Sequence, residues 1–272
     1  MRKRAKTTKP TGSQHFSRRK VRSSLPKRVP SVARFLPSRA ILKKNGSIRI
    51  DDLQWEYLEG TGDFRSPEVT ALRDEADIIV TNPPFSLFRE FLAWIMEAEK
   101  QFAIMGNKNC ITYKEVFPLI KENKIWSGSR SWAGGMWFKT LNEEDFDRID
   151  DDVKMKNVPS IWLTNLEHGR RHEPLRLMTM ADNLRFNRKM QGKEAYDHYD
   201  NYDAIEVPYT DAIPSDYDGV MGVPISFLDK YCPEQFEILG IDRYIENNPI
   251  PGKRFTINNE EVYARILIRR LG

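Results

Sequence analysis

A short apolar strand that runs straight into two consecutive prolines constrains this chain more than any other feature. Ala76-Asp77-Ile78-Ile79-Val80-Thr81 supplies the strand, and Asn82-Pro83-Pro84-Phe85 closes it. Neither proline has an N–H to give to a sheet, so the ladder has to stop there. Beyond it, Leu87, Phe88, Phe91, Leu92 and Ile95 recur at helical spacing, with Ser86 where an N-cap belongs. Phe102-Ala103-Ile104-Met105 reads as a second buried strand. Thr112 followed by Glu115 resembles a capping box, opening a helix with Val116, Leu119 and Ile120 on its apolar side. Strand, helix, strand and helix at this spacing describe right-handed crossovers, so the middle of the chain is expected to be part of an α/β parallel sheet.

Elsewhere the pattern is weaker. The run from Ser47 to Tyr57 reads as short strands around a turn, and Ser160–Thr164, Phe236–Leu239 and Val262–Ile268 read as single strands. The last of these alternates in a way that suits a sheet edge. Residues 141–157 and 180–218 are polar and loop-like. Residues 1–35 show no sustained period and are expected to be unstructured. The net charge of +4 conceals a split: residues 1–40 hold thirteen Lys or Arg and no acid, which leaves 30 basic and 39 acidic groups, or −9, for the remaining 232 residues. A cationic segment of this kind is attracted to phosphate backbones whatever their sequence. It is also compatible with a merely solvated tail, or with an Arg-rich, acid-free transit peptide. The two cysteines, Cys110 and Cys232, have no CxxC partner, which argues against a disulfide framework and a Cys-rich zinc module. No run reaches the 18 or so apolar residues of a membrane span, so a soluble protein of the cytoplasm, with no membrane partner, is expected.

The Asn82–Phe85 corner has its own chemistry. Ligands of open α/β sheets bind at the carboxyl ends of the strands. There, the Asn82 side-chain carbonyl and the Pro83 backbone carbonyl offer two acceptors that can converge on one amino group. Pro83 and Pro84 fix the direction of the backbone, and Phe85 offers a flat face for a planar heterocycle. Hydrogen bonds accepted from an exocyclic amine raise the electron density on its nitrogen and help it attack an electrophilic carbon. The plain alternative is a rigid turn after a strand; the flanking strand and helix favour the chemical reading.

Thr81–Phe85 matches the fourth motif of S-adenosylmethionine-dependent amino-methyltransferases. Longer blocks narrow the resemblance: GDFRSPE (Gly62–Glu68), ADIIVTNPPFSLFREF (Ala76–Phe91), GNKNCITYKEVFPLIKENKIW (Gly106–Trp126), WLTNLEHGRRHEPL (Trp162–Leu175), YDNYDAI (Tyr199–Ile205), DYDGVMGVPISFLDKYCPEQFEILG (Asp216–Gly240) and VYARILIRR (Val262–Arg270). Together, from about residue 42 to the C-terminus, the chain resembles the EcoRI-type adenine-specific DNA methyltransferases. The resemblance implies a Rossmann-like methyltransferase sheet, S-adenosylmethionine as cofactor and double-stranded DNA as partner. It also implies methyl transfer to the N6 amino group of adenine, in restriction–modification or phage DNA protection. By the same carry-over, Asn82 and Pro83 hold the adenine amino group, Pro84 completes the motif and Phe85 stacks on the base, which must first be flipped out of the duplex. Asp63 and Phe64 match the third motif, where an acid binds the cofactor's adenine amino group and an aromatic contacts its ring; a turn aspartate after Gly62 is an equal reading of Asp63.

The chain departs from the family pattern upstream of Asp63. No strand with a Gly-rich turn, and no second strand ending in an acid for the ribose, is found there. The expectation is a methyltransferase sheet lacking part of its N-terminal half. Residues 1–40 form a basic segment and 41–272 the methyltransferase domain, divided into a core over 41–140 and C-terminal strands with candidate DNA-recognition loops over 141–272.

Other constellations carry less. His168 and His172, beside Glu167 and Glu173, have a superficial metal spacing. Gly169 between them, Pro174 behind and the lack of a third ligand favour a polar loop, so no metal is expected. Arg170 and Arg171 in that loop are candidates for phosphates or a guanine edge. Lys108, just past the second strand, is a candidate for the DNA backbone near the flipped base, or a solvated loop lysine. Asp200, Asp216 and Asp218 form no calcium-loop pattern. Trp132, Trp137 and Trp162 are read as packing residues, with a base-flipping wedge open for one of them. Two rival functions remain: a catalytically inactive DNA-binding relative, and a methyltransferase acting on RNA adenine or on protein glutamine.

Overall fold

The computed structural model describes residues 33–36, 54–245 and 253–272, and the chain divides into two compact units, Met1–Asp63 and Phe64–Gly272. In the first unit, β1 (Ala33–Leu36) and β2 (Gln54–Tyr57) pair antiparallel, with Ala33 opposite Tyr57. Residues 33–35, expected to be unstructured, therefore carry a strand. So short a strand needs a partner to satisfy its backbone rather than a period of its own. The rest of the basic segment, and the strands expected over 47–53, lie outside the described residues.

The second unit opens with α1 (Pro67–Glu75), capped by the Ser66 hydroxyl, which accepts from the Val69 N–H. Pro67 sits at the helix start, where its missing N–H costs nothing. Next come β3 (Ile78–Thr81), α2 (Phe88–Glu97) and β4 (Gln101–Asn107). β3 and β4 are parallel, in register from Ile78–Gln101 to Thr81–Ile104, and α2 is the crossover between them. Phe88, Phe91, Leu92 and Ile95 bury the inner side of α2 in the core that Phe102 and Ile104 of β4 also enter. The expected crossover unit is present.

Its local details differ from the sequence reading. Ser86 does not cap α2. A 3-10 turn over Phe85–Leu87 intervenes, in which the Leu87 N–H donates to Pro84 O and the Phe88 N–H to Phe85 O, so the backbone satisfies itself. The Thr112–Glu115 box is also absent. The Thr112 hydroxyl donates back to Asn109 O inside a second 3-10 turn, and α3 (Phe117–Lys121) begins after Val116. Thr hydroxyls offer the backbone this local alternative to capping.

Beyond α3 lie β5 (Trp126–Ser127), β6 (Met136–Lys139), β7 (Arg148–Asp150), β8 (Val153–Val158) and β9 (Ser160–Thr164). β9 pairs antiparallel with both β4 and β5, giving the order β3-β4-β9-β5. The sheet is mixed, not wholly parallel as expected. Residues 141–157, expected to be a loop, contribute to an antiparallel meander ordered β6-β8-β7. Asp151 and Asp152, at φ of 46° and 63°, form the tight turn between β7 and β8. This meander is polar because much of both faces meets solvent: Lys154 pairs with Glu143, Lys156 with Asp147, and Arg148 stacks 3.9 Å over Trp137.

The C-terminal part holds α4 (Met180–Phe186), β10 (Ile205–Glu206), β11 (Met221–Pro224), β12 (Phe236–Ile241), β13 (Thr256–Ile257), β14 (Glu260–Glu261) and β15 (Arg265–Arg270). The order β10-β11-β15-β12 places β15 inside its sheet, not at the expected edge. Ile266 and Ile268 are buried in the main core, whereas Leu267 is buried in a smaller cluster with Tyr199, Ala204 and Phe255. Burial of alternate residues in two different clusters is the mark of an internal strand. The architecture is thus mixed α/β with several sheets. No helix among the described residues is long and apolar enough to cross a membrane.

Candidate active site

β3 stops at Thr81, and Pro83 and Pro84 follow without an N–H to extend the ladder. Pro83 is buried, Asn82 is exposed and Phe85 is half-buried. Neither the Asn82 amide nor the Pro83 carbonyl makes a hydrogen bond to a described residue. Both acceptors therefore stand at the carboxyl end of a parallel strand with their lone pairs unspent. The corner rests on Phe88, whose ring packs over Gly106 of β4. A Cβ at Gly106 would lie 2.7 Å from that ring and 3.0 Å from Cys110 Sγ, so only glycine lets strand and helix approach this closely. Burial pushes the Cys110 thiol up to about 12, which leaves it inert as a nucleophile.

β4 runs past the end of β3, and Lys108 is its first residue beyond Asn107. Its N–H donates to Pro159 O at 2.8 Å, its Nζ donates to Ala133 O at 3.1 Å, and Nζ lies 5.7 Å above the Trp132 ring. Lys108 and the Asn82–Phe85 corner thus share the carboxyl side of neighbouring strands.

The remaining candidates separate. Asp63 belongs to the first unit, follows Gly62 at φ 75°, and is half-buried. Phe64, expected to face a cofactor ring, is buried instead, edge-on to Phe91 at 5.1 Å and Trp94 at 5.5 Å. Its first role is to pack against α2, because three aromatic rings meet there and enclose one another. Arg171, a candidate for phosphates, has partners within the chain. Its guanidinium is buried 3.7 Å from the Trp126 ring, with Nη1 donating to Glu167 at 3.0 Å and Nη2 to Asn123 Oδ1 at 3.2 Å. Its neighbour Arg170 donates from Nη1 to Ser129 O at 3.0 Å and pairs through Nη2 with Asp229 at 3.0 Å. Both forks are committed inside the protein.

His168 and His172 do not converge. His168 Nε2 donates to Ser127 O at 2.8 Å. His172 lies between two carboxylates, with Nδ1 2.7 Å from Glu234 Oε1 and Nε2 2.9 Å from Glu167 Oε2. No group of His, Cys, Asp and Glu that could hold a metal occurs among the described residues. Hydrogen bonds to Glu167 and Glu234 raise the His172 pKa above its ordinary value. A raised folded-state pKa contributes stability that is fully present below the unfolded value, about 6.5, and is lost as pH rises through the folded one. The melting-temperature advantage of wild type over His172→Gln should therefore be small, greatest in mild acid, and shrink as pH rises. An advantage that grows with pH would contradict the pairing.

Sequence reasoning missed one cluster that leads to Lys108. Asp229, buried in the 3-10 turn Ile225–Asp229 after β11, accepts from the Ser131 hydroxyl at 2.6 Å and from the Trp132 N–H at 3.2 Å. A lone acid in an apolar run is the only trace it leaves in the sequence.

A family model described as adenine-specific methyltransferase EcoRI matches residues 23–271. The chain is 44% identical over 237 residues to the type II methyltransferase M.EcoRI of Escherichia coli, a match covering 84% of this chain and 68% of that protein. It is 36% identical over 190 residues to type II methyltransferase M.MpnI of Mycoplasma pneumoniae, covering 67% of this chain and 57% of that one. It is 31% identical over 233 residues to type II methyltransferase M.MgeORF184P of Mycoplasma genitalium, covering 78% and 70% respectively. A match over nearly the whole chain, joined to a strand-terminal Asn-Pro-Pro-Phe corner with two unspent acceptors, places this chain in the EcoRI family of adenine-specific methyltransferases.

Proposed function

We propose that this chain transfers a methyl group to the N6 amino group of adenine in duplex DNA, protecting that DNA within a restriction–modification or phage-defence setting in the cytoplasm of a prokaryotic or phage-infected cell. The observation that carries the reading is the Asn82–Phe85 corner, with its two free carbonyl acceptors and its aromatic face at the end of β3. The β3-α2-β4 crossover, with this corner at its carboxyl end, supports a Rossmann-like methyltransferase sheet within a catalytic domain over 41–272. The basic segment 1–40 is then a sequence-independent attraction for the substrate backbone.

The target adenine has to leave the base stack, because its amine is inaccessible inside a duplex. Asn82 Oδ1 and Pro83 O accept the two N6 hydrogens. This orients the nitrogen lone pair and raises its electron density, so that attack on a methyl carbon needs little further reorganisation. Phe85 holds the base plane by stacking. S-adenosylmethionine, when bound, would supply the electrophilic methyl and leave as S-adenosylhomocysteine, and one N6 proton would be lost to water. Asp63 is the residue proposed to hold its adenine amino group; Phe64, enclosed by Phe91 and Trp94, offers no open stacking face. No covalent enzyme intermediate is needed, in keeping with the inert Cys110. The same corner could accept another planar amine, in RNA adenine or a glutamine amide. A mixture of duplex DNA, RNA and protein, offered with methyl-labelled S-adenosylmethionine, separates these. Label in DNA is expected; label in RNA or protein alone would overturn the assignment, and no label anywhere would favour an inactive DNA-binding relative.

A further inference from the structure

A buried carboxylate anchors the middle of the loop between β5 and β6. Asp229 accepts the Ser131 hydroxyl on Oδ2 at 2.6 Å and the Trp132 N–H on Oδ1 at 3.2 Å. Its Oδ2 also pairs with Arg170 Nη2 at 3.0 Å, and Arg170 Nη1 donates to Ser129 O. Ser131 Oγ in turn accepts the Ala133 N–H at 3.4 Å. Ala133 O takes the Lys108 ammonium at 3.1 Å, and the same ammonium lies over the Trp132 ring. A chain of hydrogen bonds therefore links Asp229 to Lys108 by way of Ser131 and Ala133, and Trp132 joins the two ends through its N–H to Asp229 and its ring beneath the ammonium.

The far end of this chain lies on the same carboxyl side of the sheet as the Asn82–Phe85 corner. Thr81 of β3 lies opposite Ile104 of β4, so Lys108 stands about 10 Å beyond the level of Asn82 on the adjacent strand. The buried carboxylate and its guanidinium partner are costly to desolvate, and stability alone gives such pairs little advantage over apolar packing. Trp132 Nε1 is buried with no acceptor among the described residues.

We propose that Asp229 is a positioning residue for DNA binding. It fixes the Ser129–Ala133 loop against the end of β4, so that Lys108 is held as a fixed cation for a phosphate next to the adenine seated at Asn82–Phe85. Arg170 serves as the internal counter-charge of Asp229 and not as a phosphate ligand. This inference rests on the proposed function above and deepens it.

A double-mutant cycle on the full chain tests it, with duplex-DNA affinity measured across salt concentrations and kcat read at saturating DNA. Lys108→Gln should weaken binding roughly three- to tenfold and lower the salt slope by about one. Asp229→Ala should reproduce both changes, and adding Lys108→Gln to it should cost less than about twofold more, because the two residues act as one unit. Circular dichroism checks folding, and where Asp229→Ala does not fold, Asp229→Asn is read in the same way. Multiplying effects, or an Asp229 variant with wild-type affinity and salt slope, would overturn the proposal. Absence of methyl transfer by the wild type would instead overturn the proposed function, and the cycle in DNA affinity would remain readable.

Discussion

Asn82→Ala should lower kcat for methyl transfer by at least about 10²–10³-fold, the range seen when one preorganised hydrogen-bonding group is removed from a developing charge. DNA affinity should stay within a few-fold of wild type. The expectation follows from the corner itself: Asn82 is exposed, its amide is not used in holding the fold, and Pro83 keeps the neighbouring carbonyl in place whatever occupies position 82. Loss of turnover therefore reports on lost orientation of the amine and not on a damaged strand. Asn82→Asp supplies the internal control. A carboxylate retains an acceptor oxygen at the same reach, so it should keep more turnover than alanine. Equal turnover in wild type and Asn82→Ala, at equal melting temperature, would remove Asn82 from the mechanism.

The largest expected loss of stability lies elsewhere, at Glu206. Its carboxylate, almost wholly buried, takes Arg265 Nη2 at 2.6 Å and Nε at 2.9 and 3.0 Å, and the Tyr199 hydroxyl donates to it as well. Glu206 belongs to β10 and Arg265 to β15, so the pair spans β11, which runs between them. At that crossing β11 carries Gly222, where a Cβ would overlap the Tyr199 ring and hydroxyl. Burial, and then the charge of Glu206, push the Tyr199 pKa far above its ordinary value, so the phenol remains a neutral donor. Glu206→Ala leaves a buried guanidinium and a buried hydroxyl without their acceptor, at a cost of about 3–5 kcal/mol. For a chain of this size that corresponds to a fall in melting temperature of roughly 10 °C. Removing Glu90 from its exposed pair with Arg65 should change stability by less than about 1 kcal/mol. Comparable thermal shifts for the two variants would contradict the assignment of Glu206 as the clamp of this sheet.

The two sites differ in how visible they are in the sequence. Asn82–Phe85 is legible because its chemistry is local: prolines end a ladder and set carbonyl directions without help from the rest of the chain. The β3-α2-β4 crossover is legible for the same reason, since the strand and the amphipathic helix each carry their own period. What fails is long-range. Asp229 meets Ser131 and Trp132 across nearly a hundred residues, and one acid within an apolar run has no period to betray it. The β6-β8-β7 meander hides because strands with two solvent-facing sides need no apolar alternation. Phe64 shows a third kind of long-range dependence. Its residue type suited a cofactor contact, but only packing against Phe91 and Trp94 decides that its ring faces the core. The partners of Arg170 and Arg171 are equally invisible in the sequence. Adjacent cations suggest a phosphate site, and the fold gives each of them an internal carboxylate instead.

The most direct measurement of the central claim is the chemical identity of the methylated product. Purified chain is incubated with methyl-labelled S-adenosylmethionine and unmethylated genomic DNA, and the DNA is digested to nucleosides for mass spectrometry. Label is expected on N6-methyl-2′-deoxyadenosine, and Asn82→Ala should reduce it. Label on cytosine carbon, or turnover that depends on a cysteine, would contradict an amine-directed corner at Asn82–Phe85.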